Sequence, residues 1–271
     1  MSYIFYILKK ENMNKKIRAI VNENILFAFR ESLLWLPIFL YIIVLLWYWF
    51  LWQEAIVNAF REVWYVSVMS SVWYFLSAFI IIYYTIISFD KDIKTKNIYI
   101  VLQHVNKKEY FLWKLISIFI ISFFLNIIFM IIFNLWYLFL YKDIDLSLNY
   151  IFVFQQLELL VIAFFASLFS LLSNSNAMRI LLTLIILILG HSIPILYNLT
   201  QKGIIQANWI SKQIIDSIYY ITPNLELLNV KDVIIINSSL WNQLINAILY
   251  TVWLIILLYF ISMKIFNKKD F

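Results

Sequence analysis

The chain has 271 residues, 64% of them hydrophobic and 13% charged, with a net charge of +6. Soluble domains average about 45–50% apolar and about 25% charged residues, so this composition belongs to a polytopic membrane protein with no soluble domain of useful size. There is no cysteine, which excludes disulfides, thiolate metal sites and thiol nucleophiles, and only two glycines, too few for a Walker A loop or a GxGxxG fingerprint.

Tyr3 to Leu8 is too short for the apolar region of a secretory signal, and MNKKIRAI from Met13 reads as a start, so residues 1–12 are expected to be an upstream extension. Over residues 14–31, Ile17, Ile20, Val21, Ile25 and Ala28 fall near one helical face, with Arg18, Asn22 and Asn24 elsewhere. That pattern predicts a basic amphipathic helix lying in the membrane interface, within a cytoplasmic N-terminus of residues 1–32.

Hydropathy predicts an all-α integral membrane fold with six spans at about 33–52, 63–88, 111–141, 150–172, 178–199 and 240–263. Trp47, Trp49 and Trp52 crowd the far end of the first, as in an interfacial aromatic belt. Residues 200–240 form a long loop before the sixth span, and 264–271 a basic tail.

Between spans two and three, Phe89–Lys114 carries six lysines against Asp90, Asp92 and Glu109 around an apolar centre, Ile98–Leu102. This reads as a short cytoplasmic amphipathic helix that docks onto a partner, since a reversal of the chain needs far fewer residues. Lysine and arginine number six in residues 1–32, six in this segment, one in the hairpin at 173–179 and three in the tail, while the opposite side carries five. The excess places both termini and the charged segment in the cytoplasm, and it accounts for the basic charge without a nucleic-acid partner.

Few residues carry candidate chemistry. Glu158 lies about three turns into the fourth span, where an ionisable group costs on the order of 2.5–3.5 kcal/mol. It is expected to face the bundle interior or an aqueous cavity, or else to reach the outer headgroups. Gln155, one turn earlier, shares its face, and with Asn126 these two are the candidate translocation-pathway residues. Ser122, Asn126 and Asn134 on the third span also suit cross-helix hydrogen bonds, the commoner role of polar side chains there. His191, between Gly190 and Pro194, is expected to support a kink rather than relay protons, because no intramembrane acid is near it in sequence. His104 is expected to be an interface or solvated residue. No HExxH, paired intramembrane aspartates or Ser/His/Asp grouping at one depth is present, so neither an enzyme nor a resident metal or cofactor is expected.

Two stretches carry a family resemblance. Ile98–Lys114, IYIVLQHVNKKEYFLWK, is similar to the segment before the third span of ABC-2 type transporter permeases, with Leu102, Val105, Lys107, Glu109, Tyr110 and Lys114 in matching places. There His104 stands for the usual proline, Lys107 for the arginine and Trp113 for the glycine. Tyr219–Val230, YYITPNLELLNV, resembles the Tyr-x-x-Pro-Asn stretch before the last span, nearest the permeases grouped with multi-copper enzyme maturation, through Tyr220, Pro223, Asn224, Leu228 and Asn229. The resemblance implies a permease subunit, of an exporter, in a bacterial inner membrane. It also implies a coupling helix contacting a separate ABC ATPase through Tyr99, Leu102, His104, Lys107, Glu109 and Tyr110, and a second permease chain, identical or not. A non-transporting six-span scaffold or assembly protein is the alternative class. A secondary carrier, with its Gly-rich broken helices, fits two glycines poorly.

Overall fold

The structure is a computed structural model and describes residues 13–30, 35–54, 61–94, 101–103, 105–142, 146–205, 208–229 and 240–268. Among the described residues every regular element is a helix. In chain order they form α1 (Met13–Arg30), α2 (Trp35–Glu54), α3 (Arg61–Lys94), α4 (Lys107–Tyr141), α5 (Tyr150–Leu172), α6 (Asn176–Gln201), α7 (Trp209–Ile221) and α8 (Leu240–Lys268), with 3₁₀ turns at Leu146–Asn149 and Leu225–Leu228. Five of them, α3, α4, α5, α6 and α8, are long and apolar enough to cross a membrane. Val21–Arg30 and Trp35–Trp47, set at 48° to one another, would add a sixth if they form one bent span. The protein is therefore an all-α, multi-pass membrane protein.

α5 is the central helix and packs against α3, α4, α6 and α8. Ala163, Ala166, Ser167 and Ser170 recur on it at helical spacing and are all buried, and such small side chains let neighbouring backbones approach closely. Next to it lies an aromatic core in which Trp73 stacks on Phe129 at 4.2 Å and Tyr41 meets Phe129 edge-on at 4.5 Å, joining α2, α3 and α4. Outward faces are apolar as well: Phe75, Leu135, Ile188, Trp253 and Phe260 are exposed, the surface expected where the solvent is lipid.

The charged interval Phe89–Lys114 lies partly on the flanking helices: α3 continues to Lys94 and α4 starts at Lys107, so charges flanking the expected spans at 63–88 and 111–141 lie on extended helices, and residues 101–102 between them are helical too. α4, at 35 residues, is about 52 Å long against a hydrocarbon core of about 30 Å, so it projects beyond the bilayer. The expected loop at 200–240 contains α7 and the Leu225–Leu228 turn. Tyr99 and His104 lie outside the described residues, as do residues 1–12.

Candidate functional site

On α5, Gln155, Gln156 and Glu158 are all buried. In hydrocarbon such groups must find partners inside the bundle, and each finds one on a different helix. Gln155 donates from Nε2 to Ser70 O on α3 at 2.9 Å. Gln156 donates to Ser122 Oγ on α4 at 2.8 Å, and Asn126 donates to Gln156 Oε1 at 3.2 Å and to Phe152 O at 2.8 Å. Asn134 bonds Asn149 at 2.8 Å. Ser122, Asn126 and Asn134 thus make the cross-helix bonds their spacing predicts.

Glu158 is the centre of a polar cluster. Its Oε1 accepts from Tyr74 Oη on α3 and lies 2.5 Å from His191 Nε2 on α6. The other imidazole nitrogen, Nδ1, is 3.3 Å from Glu226 Oε2, and Glu226 Oε1 accepts from Asn229 at 3.1 Å. Glu158 is 3% exposed, so it faces the bundle interior and not the headgroups. His191 presents both ring nitrogens to carboxylate oxygens, whereas a neutral imidazole has a single N–H to give. Nε2 is also 3.3 Å from Tyr74 Oη, so the imidazole draws α3, α5 and the 223–229 segment together.

Glu226 reaches this cluster because of the segment at 223–229. Pro223, Leu225 and Leu228 are buried, and the turn packs on α5, α6 and α8. Asn224 N donates to Tyr250 Oη on α8 at 2.6 Å. Gly190 makes room for it: a Cβ there would meet the Leu225 side chain at 2.7 Å and Pro223 O at 3.0 Å. A cavity of about 380 Å³ opens beside the cluster, with Tyr74, Gln155, Glu158, His191, Glu226 and Asn229 among its walls. Glu158 lies eight residues from the start of α5 and His191 ten from the end of α6, so the cavity sits about 12–15 Å from the helix ends that meet the 142–149 and 202–208 connections.

A second polar centre holds the opposite ends of the helices. Lys114 Nζ is 2.5 Å from Asp92 Oδ2 and 2.9 Å from Asn24 Oδ1, and Tyr110 Oη also donates to Asp92. Two residues earlier, Asp90 accepts from Arg179 Nη1 at 3.1 Å and from Asn176 at 3.2 Å. Asp92 thereby joins α3 to α4 and, through Lys114, to α1, and Asp90 joins α3 to the start of α6.

Of the residues singled out by sequence, Gln155 and Glu158 border the cavity, while Asn126 is buried among α4 and α5 and is not part of its wall. Tyr110 is 2% exposed, stacked on Phe266 at 6.0 Å. Leu102, Lys107 and Glu109 are half-buried around it, and Lys107 Nζ reaches Asn267 O at 3.5 Å. Tyr220 is exposed on α7 and Pro223 buried under the turn. Sequence reasoning passed over Tyr74 and Glu226 and gave His191 a kink role for want of a nearby acid. α6 runs unbroken through Pro194, and the acids come from α5 and the Leu225–Leu228 turn. The PNLELLN stretch was the available signal, because it carries a carboxylate between two leucines at positions that bury. No family model matches the chain, and no curated protein or solved structure matches it.

Proposed function

We propose that this chain is the membrane-spanning permease subunit of an ABC transporter, with six spans and both termini cytoplasmic. It pairs with a second permease chain, and a separate ATPase subunit docks on the basic segment between α3 and α4. The observation that carries this reading is the anchoring of the first turn of α4. Lys107–Tyr110 open that helix, and Tyr110 is tied through Asp92 and Lys114 to α3 and α1. A push on this turn would be delivered to three helices together, which is what a coupling element requires. The apolar stripe at Val101 and Leu102 and the exposed Lys108 suit a groove on a partner with acidic edges. The polar cluster around Glu158, buried in the spans beside a cavity, supports a pathway for solute on the other side of the bundle.

The test is co-expression with the ABC ATPase encoded nearest the gene. The complex is expected to co-purify, and Lys107→Glu or deletion of residues 99–102 is expected to abolish ATP-driven transport into vesicles while the chain still inserts. An active, correctly inserted chain that captures no ATPase would instead make it a scaffold or assembly protein.

A further inference from the structure

Away from the Glu158 cavity, α4, α5 and α8 border an apolar groove of about 640 Å³. Leu112, Ile116 and Phe119 line it from α4, Ile256 and Phe260 from α8, and Phe164 from α5; Tyr259 supplies the only polar side-chain atom among the described lining residues. Leu112, Phe119, Ile256 and Phe260 are exposed, so the groove opens to the outside of the bundle. α4 and α8 are held together at one end of it, where Phe111 lies 6.0 Å from Tyr259 and 5.7 Å from Phe266 and Lys107 reaches Asn267 O.

Positive charge at that end follows the same helical stripes. At 100° per residue Lys108 falls inside the arc of about 100° that Leu112, Leu115, Ile116 and Phe119 cover on α4, one turn below Leu112. Lys264 falls about 40° from Phe260 and one turn below it on α8. Both lysines are exposed. The first turn of α4 and the last two turns of α8 carry Lys107, Lys108, Lys264 and Lys268 against Glu109 alone. From Lys108 to Phe119 the helix rises about 16 Å, about the depth of one leaflet of a hydrocarbon core about 30 Å thick.

An apolar space one leaflet deep with a cationic mouth is complementary to a single bilayer molecule. Lysine stems cover apolar surface while their ammonium groups reach the headgroups, where each is worth about fivefold toward an anionic lipid. A zwitterionic headgroup would bring a further cation to that mouth, and a second copy of this chain across a two-fold axis would set the same lysines face to face. We propose that this groove holds an anionic phospholipid, with an acyl chain along Ile116, Phe119, Phe164 and Phe260 and the phosphate between Lys108 and Lys264.

Groove and lysines belong to one chain and share one end of it whichever way it faces. Neither the ATPase contact nor the orientation is therefore needed, and a failure here leaves both standing. Lys108 is also assigned to the ATPase contact, so the deciding variant is Lys264→Glu. The purified full chain in phosphatidylcholine nanodiscs is titrated with phosphatidylglycerol carrying a photoreactive diazirine on one acyl chain, and labelled residues are mapped by mass spectrometry. Saturable labelling of the groove residues of α4 and α8 is expected. A phosphatidylcholine probe with the same diazirine should label them at least about tenfold less at equal mole fraction, as two lysines at about fivefold each require. Lys264→Glu should weaken phosphatidylglycerol labelling at least about fivefold, while Lys202→Glu at the far end of the bundle leaves it unchanged. Thermal melts establish that both variants remain folded. Equal labelling by the two probes, labelling that does not saturate, or equal labelling in a folded Lys264→Glu overturns the proposal. So does a groove that takes no label, the result if a second copy or another stretch of this chain fills it. Comparison of the two probes decides the matter without any variant.

Discussion

Lys114 Nζ sits 2.5 Å from Asp92 Oδ2, and the lysine is 1% exposed although it is eight residues into a helix. A buried ammonium is tolerated only when paired and hydrogen-bonded, and here Asn24 Oδ1 supplies the second acceptor at 2.9 Å. The pair spans the segment between α3 and α4, so it fixes how the two helices approach one another at the end where the chain is most basic.

Breaking this pair from one side should be worse than removing it. Asp92→Asn leaves the buried lysine without a counter-charge and should lower stability by about 2–3 kcal/mol, the fully buried figure reduced because the Asp92 side chain is 20% exposed. Adding Lys114→Met to Asp92→Asn should restore part of the loss. Chemical denaturation in detergent micelles reads both, and an unchanged midpoint for Asp92→Asn would mean the pair is screened by water.

Gly190→Ala places a Cβ 2.7 Å from the Leu225 side chain and 3.0 Å from Pro223 O, so the turn carrying Glu226 has to shift outward. Overpacking of this kind costs about 1–3 kcal/mol, and here the strain falls on one segment and not on the whole bundle. The chain has no native cysteine, so a single Leu227→Cys, at an exposed site on that turn, reports on it cleanly. Maleimide labelling of Leu227→Cys should run several-fold faster with Gly190→Ala. His191→Leu, which removes the bridge from Glu226 to Glu158, should accelerate it too.

Hydropathy and spacing delivered the elements but not their joints. The fourth span matches α5 residue for residue, because a helix buried on most sides announces itself by a long run that is apolar apart from a few small or polar residues. The amphipathic lead-in at 14–31 matches α1, since its period survives at the surface. Glu158 stood out because it is alone in its span, yet its partners did not: His191 is 33 positions away, Tyr74 is 84 away, and Glu226 arrives on a turn whose packing depends on Gly190, far back in the sequence though adjacent in the fold. The charged interval was opaque for a related reason. The pairing of Lys114 with Asp92 and of Arg179 with Asp90 joins residues 22 and 89 positions apart, which no spacing rule connects.

Orientation can be read with the same cysteine-free background. Asn174 in the α5–α6 hairpin and Lys202 after α6 are both exposed and lie at opposite ends of α6. The excess of lysine and arginine on the termini, the α3–α4 segment and the hairpin predicts a cytoplasmic residue 174 and an external residue 202. A membrane-impermeant maleimide applied to intact cells should label Lys202→Cys and spare Asn174→Cys until the cells are lysed. The reverse pattern would turn the protein over and remove the docking segment from the reach of any cytoplasmic ATPase.

α7 should rest in the outer membrane interface. Its inner side packs on α6, where Tyr219 stacks on Tyr197 at 4.0 Å. Beside that contact Ile210, Ile214 and Ile221 fall within about 40° of one another at 100° per residue, and all three are exposed, Ile221 by 83%. Lys212, Gln213, Asp216 and Ser217 lie on the remaining arc, with Trp209 and Tyr220 among them, the mixture of polar and aromatic groups that settles at headgroup depth. Water would leave the isoleucine stripe unsatisfied, whereas the exposed apolar residues Ile195 and Leu196 of α6, and Ile204 just after it, offer further surface to lipid. A spin label at Ile214→Cys in liposomes should therefore be relaxed more strongly by oxygen than by a water-soluble nickel chelate, and one at Gln213→Cys the other way round. Equal accessibility to the chelate at both positions would mean that α7 stands clear of the bilayer and that its apolar stripe is covered by something else.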